Sequence, residues 1–344
     1  MIEIRDLYKY YGDRRALGPV TAEIAKGEII GLLGLNGAGK TTTLRILACD
    51  LLPTSGTVRV SGHDVVSAPE EVRARVGYLP DRPPLYDDMT VREYLAFAAR
   101  LRRVPRTDVS RRVDEVVEQT ELGDVMHQMI GTLSHGFRQR VGIAQAIVHR
   151  PAFVVLDEPI SGLDPVQIVE MRELVRGLRG AHTVIVSSHI LTEISETCDR
   201  IFVIDEGRIA WAGTEKELSS EFGQGMRIDV TVRGGAEERV LEALRAVDGV
   251  QSAELAPPSE PGEDVRTLRV SARGDVRDAV CRALVGADVS VLELVRRREL
   301  ESMVLALLGG GESGTRRRAK RRFDERREAP AEQAAAEVPQ AEGV

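Results

Sequence analysis

The sequence predicts an α/β protein in which a mostly parallel sheet is interrupted by a helical segment and followed by a small α+β domain. Two observations favour this fold class. Short apolar, β-branched runs alternate with helical patterns, and a glycine-rich stretch joins the first of these runs to a helix. Parallel strands that are buried on both faces have this continuous apolar character. With 344 residues, 42% of them hydrophobic, the chain is long enough for more than one domain.

The first predicted domain covers residues 1–222. After the run 153–157, the segment 166–180 has apolar residues at helical spacing and ends on a glycine, which predicts a βαβ unit with the next run. The stretch 82–150 has a helical pattern, and Thr90 with Glu93 predicts a capping box at a helix start. The predicted parallel strands are 28–33, 153–157, 183–188 and 201–205.

A second region begins after residue 222. Strand and helix patterns alternate over 223–309, which predicts a small α+β domain, and the Gly-, Ala-, Pro- and Glu-rich tail 310–344 predicts disorder. Within the tail, 316–328 holds eight basic and three acidic side chains. The simplest interpretation is a solvated, disordered tail. A more specific one is contact with anionic lipid headgroups. RNA contact is a third, but Phe323 is the one aromatic residue in this segment that could stack on a base.

Charge and cysteine content narrow the function classes. The net charge of −7 shows no global basic footprint, so nucleic acid is not expected as a partner. The three cysteines lack CxxC spacing, which favours a reducing cytoplasm and no structural zinc. The first residues are charged where a signal peptide needs an apolar run, and no segment approaches the roughly 18 apolar residues of a membrane span. We therefore expect any membrane role to depend on a partner.

The glycine-rich stretch GLNGAGKTT, residues 34–42, follows a predicted strand and precedes a helix. This is the G-x-x-x-x-G-K-[ST] pattern in its strand–loop–helix context, in which backbone N–H groups and the helix N-terminus surround phosphate oxygens. Lys40 is expected to reach the β- and γ-phosphates, and Thr41 to supply a hydroxyl to magnesium. A chance glycine-rich turn is the alternative. The predicted cofactor-binding residues here are Gly34, Asn36, Gly37, Ala38, Gly39, Lys40, Thr41 and Thr42.

Two adjacent carboxylates follow the buried run 153–157. Asp157 closes the strand, where a magnesium ligand is expected, and Glu158 lies beyond it, where a carboxylate can accept a proton from an attacking water. A strand-end turn broken by Pro159 is the alternative. Bound phosphates with Mg²⁺ are therefore predicted here, and Glu158 and Lys40 are predicted catalytic residues.

Four linked motifs carry a family resemblance. GLNGAGKTT, LSHGF, VVLDEPISGLDP and VSSH occur in this order, and residues 1–220 resemble the nucleotide-binding subunit of an ABC transporter. The segments around GYLPD and LSHGFRQRVGIAQAI are similar to subunits of ABC-2 type exporters, including the gliding-motility type. The resemblance implies a P-loop NTPase fold, ATP hydrolysis at a dimer interface and export through a separate permease. It also implies a peripheral location on the cytoplasmic face of the inner membrane.

The resemblance also implies residue roles. Tyr11 corresponds to the aromatic that stacks on adenine, and His189 to a catalytic histidine that contacts the γ-phosphate. Ser134 and Gly136 begin a helix expected to hold the ATP of a facing subunit, and Asp164 lies in a loop that faces that subunit. A homodimer is favoured by symmetry, with a paralogous partner as the alternative. The stretch 82–130 corresponds to the surface on which the permease docks.

Two residues depart from the family pattern. His135 stands where the family usually has glycine, so a left-handed backbone there would be strained. Asp81 stands where a glutamine usually links the ATP site to the helical segment, and its carboxylate is expected to meet the magnesium shell. Ordinary packing or capping is the alternative interpretation for Tyr11, His189 and the turn at Ser134.

Other function classes fit less well. A soluble ABC ATPase that acts on DNA or ribosomes usually has long coiled-coil insertions or two ATP domains, and this sequence shows neither. The motifs LSHGF and VSSH are not expected in a P-loop kinase or GTPase. A non-catalytic, ATP-gated binding module would lack Glu158. The region 223–309 is a ligand-sensing domain in one interpretation and a dimer contact in another. Nothing in the sequence indicates the transported substrate.

Overall fold

The computed structural model describes residues 1–222, 226–255 and 265–297. It divides into two compact units, Met1–Gly213 and a second that begins at Thr214, so the division precedes the boundary predicted after residue 222. The tail 310–344, its basic segment 316–328 and the end of the predicted domain 223–309 lie outside the described residues. None of the helices in the described ranges is both long enough and apolar enough to span a membrane.

The strands of the first unit form two sheets. In chain order they are β1 (Ile2–Tyr11), β2 (Arg14–Ile24), β3 (Ile29–Leu33), β4 (Ser55–Val60), β5 (His63–Asp64), β6 (Val76–Leu79), β7 (Phe153–Leu156), β8 (Thr183–Ser188), β9 (Arg200–Asp205) and β10 (Arg208–Gly213).

The helices of the first unit lie between these strands. They are α1 (Lys40–Leu47), α2 (Pro69–Arg73), α3 (Val91–Leu101), α4 (Val109–Gln119), α5 (His135–Ile147), α6 (Pro165–Gly177) and α7 (Leu191–Thr197), with short 3-10 turns at Gly123–Val125 and Ile130–Thr132.

The larger sheet confirms the predicted parallel fold. Its order is β10-β9-β3-β8-β7-β6, and all neighbours pair in parallel except β10 with β9. Every residue of β3, β7 and β8 is buried, as the apolar runs predicted. Because parallel strands point the same way, the loops after β3, β7 and β8 meet at one edge of this sheet.

A second, antiparallel sheet was not predicted. Its order is β2-β1-β4-β5, and β1 and β4 alternate inward and outward residues, so their apolar runs are short. Side chains from both sheets form one core that includes Leu7, Leu17, Val58, Phe153 and Ile185.

The helical segment begins at the predicted capping box. The Thr90 hydroxyl accepts a hydrogen bond from the Glu93 N–H, and the Glu93 carboxylate accepts one from the Thr90 N–H. Helix α3 packs against both α4 and α5. The helical segment starts after β6, whose end lies at the edge where the strand-end loops meet, and α5 returns the chain to the start of β7 at the opposite edge.

The second unit has one sheet and three helices in its described part. Its elements are α8 (Glu215–Phe222), β11 (Met226–Arg233), α9 (Glu237–Arg245), β12 (Val250–Leu255), β13 (Val265–Ala272), α10 (Arg277–Gly286) and β14 (Ser290–Arg297). The sheet is antiparallel in the order β12-β13-β11-β14, and its core contains Val230, Leu244, Val270 and Leu284. The sequence patterns indicated each of these elements except α8 and β12, whose residues are mostly polar or exposed.

Candidate functional site

A cleft of about 870 Å³ opens where the loops after β3, β7 and β8 meet. Its walls include most of the residues that the sequence predicted for nucleotide binding and catalysis. Those predicted residues are Tyr11, Asn36, Gly37, Gly39, Lys40, Thr41, Thr42, Asp81, Glu158 and His189. The sequence did not single out the further lining residues Arg14, Arg15, Ala16, Leu35, Ser161 and Glu206.

The loop between β3 and α1 requires its glycines for two separate reasons. Gly39 caps α1 with φ at +112°, a backbone angle that side chains of L-residues rarely permit. Gly34 is buried, and a Cβ there would lie 2.6 Å from the Ile204 carbonyl oxygen. Ala38 is buried behind the loop. The loop therefore keeps its backbone N–H groups close to the cleft, where they can donate to phosphate oxygens.

Lys40 lies at the floor of the cleft. Its Nζ donates to the Gly34 carbonyl oxygen at 2.8 Å and lies 3.2 Å from Glu158 Oε1. The side chain is 7% exposed, so this ion pair is held with little water around it. The ammonium is thereby fixed between the loop after β3 and the carboxylate after β7.

Ser187 is a site residue that sequence reasoning missed. This fully buried serine on β8 donates its hydroxyl to Asp157 Oδ1 at 2.6 Å and accepts a bond from the Glu158 N–H at 2.9 Å. One hydroxyl therefore orients both carboxylate residues at the end of β7. The signal was present in the run VSSH, whose two serines break an otherwise apolar strand.

Asp157 is almost fully buried, and burial raises its pKa, while the hydrogen bond from Ser187 and the nearby Thr41 hydroxyl act in the opposite direction. The nearby charges of Glu158 and Asp81 also raise it. Its Oδ2 is a buried oxygen without a hydrogen-bond partner among the described residues. A buried, unpartnered carboxylate oxygen beside other acidic groups and a threonine hydroxyl has the chemistry of a hard divalent cation site.

The Glu158 carboxylate lies between Lys40 and His189. Its Oε2 lies 3.0 Å from His189 Nδ1, and its Oε1 faces Lys40. Its backbone has φ at +49°, in the left-handed region that glutamate seldom occupies. Such backbone strain is maintained only where surrounding contacts hold it, and here the Ser187 hydroxyl holds the Glu158 N–H.

Tyr11 lies at the end of β1, the residue is 49% exposed, and the Lys9 ammonium lies 5.3 Å from the centroid of its ring. An exposed ring on the wall of the cleft is free to stack on a planar ligand. Asp81 is exposed on the cleft wall just after β6.

Ser134, Gly136 and Asp164 do not line the cleft of their own chain. Ser134 caps α5, its hydroxyl accepting from the Phe137 N–H at 3.4 Å, and Gly136 is buried. Asp164 caps α6 through the N–H groups of Val166 and Gln167. The strain considered for His135 does not arise, because His135 is the first residue of α5 and its backbone is helical.

Comparison with known proteins agrees with this geometry. Residues 17–161 match the family model described as "ABC transporter". The daunorubicin resistance ATP-binding protein DrrA3 of Streptomyces coeruleorubidus is 35% identical over 303 residues, which are 88% of this chain and 93% of that protein.

Solved structures share the fold. An ATP-binding subunit of an ABC transporter has a TM-score of 0.59 and 29% identity, over 65% of this chain and 93% of that one. A dimeric ATP-binding cassette in a post-hydrolysis state, bound to ADP and Pi, has a TM-score of 0.57 and 24% identity, over 62% of this chain and 98% of that one.

The fold and the cleft define a P-loop ATPase. The chain belongs to the ABC transporter ATP-binding family and is related to the daunorubicin resistance protein DrrA3. It is the ATP-binding subunit of an ABC exporter and hydrolyses ATP for transport.

Proposed function

We propose that two copies of this chain close around two ATP molecules, each with Mg²⁺, and that closure and hydrolysis drive export through a separate permease. The observation that carries the proposal is the cluster at the cleft floor. Glu158 lies within 3.2 Å of Lys40 and 3.0 Å of His189, directly after the buried Asp157. A base, a cation and a metal-type carboxylate thus converge at one strand end.

Asp157, Thr41 and Asp81 would hold the metal ion. The unpartnered Asp157 Oδ2 fits this role, because a divalent cation would satisfy a buried oxygen that otherwise lacks a partner. The raised pKa of Asp157 means that the site favours a proton or a cation over a bare carboxylate. When bound, Mg²⁺ would offset the charge of the β- and γ-phosphate oxygens.

The residues around Glu158 would have different roles in hydrolysis. Lys40 faces both Glu158 and the loop, so phosphate oxygens and the Glu158 carboxylate compete for the same ammonium. Phosphate binding would therefore release the carboxylate to accept a proton from the attacking water. His189 Nδ1 lies 3.0 Å from Glu158 Oε2. With its hydrogen on Nδ1 the ring would orient that carboxylate, and with its hydrogen on Nε2 it would donate to the γ-phosphate. Tyr11 would stack on the adenine ring.

The dimer follows from where the remaining predicted residues lie. Ser134 and Gly136 provide donors at the start of α5, Asp164 caps α6, and none of these residues lines the cleft of its own chain. Across a two-fold axis, these donors would complete the site of the facing chain, because a helix N-terminus favours an anion. The dimeric cassette structure bound to ADP and Pi has the same fold, which supports this arrangement.

The helical segment offers the surface for a permease at the cytoplasmic face of the membrane. Large apolar side chains are exposed there, namely Tyr86, Leu101 and Met129, at 51%, 66% and 49%. Exposed apolar groups on one segment are a feature of docking surfaces. DrrA3, which aligns over 93% of its length, is named for resistance to daunorubicin, so export is the favoured direction of transport.

The role of Glu158 is tested with Glu158→Gln. We expect turnover to fall by about 100-fold or more, in the range of lost general base catalysis, while ATP binding persists. With ATP and Mg²⁺, the variant should elute as a dimer in light scattering, and in the absence of ATP as a monomer. Arg5→Gln, on the exposed surface of β1, is the matched control. Wild-type turnover in Glu158→Gln would refute the assignment.

The permease is tested by mild-detergent purification of the tagged chain from its native cells. A multi-spanning membrane protein in stoichiometric amount supports the transport role. A preparation that contains ribosomal or DNA-bound proteins instead would overturn the transport role and leave the ATP site intact.

A further inference from the structure

His135 makes a contact that its position in the motif LSHGF does not require. Its Nε2 lies 3.1 Å from the Ser161 carbonyl oxygen. A carbonyl oxygen only accepts, so Nε2 carries the hydrogen and donates it. A glycine, which usually stands at this position in the family, cannot make this bond. The bond joins the first residue of α5 to the loop that follows β7.

The same loop leads back to the catalytic cluster within one turn. The Ser161 N–H donates to the Glu158 carbonyl oxygen at 3.2 Å, and Ser161 itself lines the cleft. Two hydrogen bonds in series therefore connect the His135 ring to the backbone of Glu158. Since Glu158 has a left-handed backbone, the conformation of this turn determines where its carboxylate points.

A second contact joins the start of α5 to α6, the helix that follows this loop. Gly136 is buried against Gln167, so closely that a Cβ on Gly136 would lie 2.7 Å from the Gln167 side-chain oxygen. The Gln167 N–H is bonded in turn to the Asp164 carboxylate at 3.0 Å. The start of α5 is thus joined by a hydrogen bond to the loop after β7 and by close packing to the N-terminal turn of α6.

We propose that His135 is a positioning residue that couples the two ATP sites of the dimer. The inference rests on the proposed function, in which Ser134 and Gly136 hold the ATP of the facing chain. Binding of that ATP fixes the start of α5, and through His135 and Ser161 it sets the turn that carries Glu158 of the chain's own site. Each ATP therefore prepares the carboxylate that acts on the other.

The test compares His135→Ala, His135→Gln and His135→Gly in the full chain, by ATPase rate against ATP concentration. We expect wild-type hydrolysis to be cooperative, with a Hill coefficient above one. In His135→Ala and His135→Gly the coefficient should fall below the wild-type value and kcat by about three- to tenfold, the effect of one hydrogen bond, with KM within about twofold. His135→Gln, which keeps a side-chain N–H donor, should recover most of both values.

His63→Ala is the matched control, because His63 lies on β5 outside the lining of the cleft. The inference is overturned if the wild type has a Hill coefficient of one, if His135→Ala keeps wild-type cooperativity, or if His135→Gln is as impaired as His135→Ala. Failure of the proposed function is separately visible: Glu158→Gln would then stay monomeric with ATP. If Glu158→Gln dimerises and His135→Ala behaves as wild type, only the coupling role is lost.

Discussion

Ser187 provides the sharpest structural prediction, because one hydroxyl serves both carboxylate residues. In Ser187→Ala, Asp157 Oδ1 loses its 2.6 Å donor and the Glu158 N–H loses its acceptor. A hydrogen bond to a charged group contributes about 1.5–3 kcal/mol, and a buried N–H left without a partner costs about 1–3 kcal/mol. We therefore expect the free energy of unfolding to fall by about 3–5 kcal/mol.

The effect on catalysis should exceed the effect on nucleotide binding. The N–H that Ser187 holds belongs to a residue with φ at +49°, so its loss lets the Glu158 backbone relax and moves the carboxylate. A displacement of about 1 Å in a catalytic group can lower turnover about 100-fold. We expect kcat to fall by about 10- to 100-fold, measured as steady-state ATPase, and ATP affinity to change little.

Ser188→Ala is the matched control on the same strand. Ser188 is also buried, and its hydroxyl donates to Glu193 Oε2 at 2.5 Å and accepts from the Ile190 N–H at 3.0 Å. Urea unfolding should show a comparable loss of stability in both variants. If Ser187→Ala lost no more activity than Ser188→Ala, the role of Ser187 in placing Glu158 would be wrong.

Three further predictions concern charge. Asp157→Asn should raise the urea midpoint of the nucleotide-free protein at pH 7 while abolishing Mg²⁺-ATP hydrolysis, because burial raises the pKa of Asp157. Lys40→Ala should weaken ATP binding by about 10- to 150-fold in calorimetry, the effect of one lost charge-assisted bond. Arg112→Ala should lower the free energy of unfolding by about 2–4 kcal/mol, since the buried guanidinium donates to the Ile147 and Val148 carbonyl oxygens.

The pH dependence gives the Asp157 prediction its sign. With a raised pKa in the folded protein, this carboxyl contributes stability that is complete below its ordinary pKa and is lost as pH rises through the raised value. The advantage of Asp157→Asn should therefore shrink as pH falls from 7 towards 4. An advantage independent of pH would contradict this cause. Arg111→Ala, on the exposed face of α4, is the control for Arg112→Ala and should change stability little.

The parts of the fold that the sequence predicted are those with continuous patterns. Strands β7 and β8 are buried on both faces, so every residue in them is apolar or small and the strand signal is strong. Strands β1 and β4 alternate buried and exposed residues, and β12 has one buried residue in six, so their signals are weak. The pairing of β1 with β4 joins segments that are distant in sequence, such as Ile2 and Val60, and local patterns do not report it.

The residues of the candidate site also fall into those that the sequence predicted and those that it did not. Lys40 and Glu158 lie in motifs whose residue types follow from phosphate chemistry, and the structure brings them within 3.2 Å. Ser187 and the contact between His135 and Ser161 depend on which loops meet at the sheet edge. The run VSSH marks Ser187 as a polar residue in an apolar strand, but the partners of Ser187 and His135 follow only from the strand order.

A mixture of two inactive variants tests most directly whether ATP is bound between two chains. Lys40→Ala removes the cation of a chain's own cleft. Ser134→Arg blocks the donors at the start of α5 that are proposed to contact the ATP of the facing chain. In a mixed dimer, one site carries both defects and the other carries neither. If ATP is bound between two chains, an equimolar mixture should recover up to about one quarter of wild-type ATPase activity, since half of the dimers are mixed and one site in each is intact. Activity no greater than the mean of the two separate variants would contradict the account.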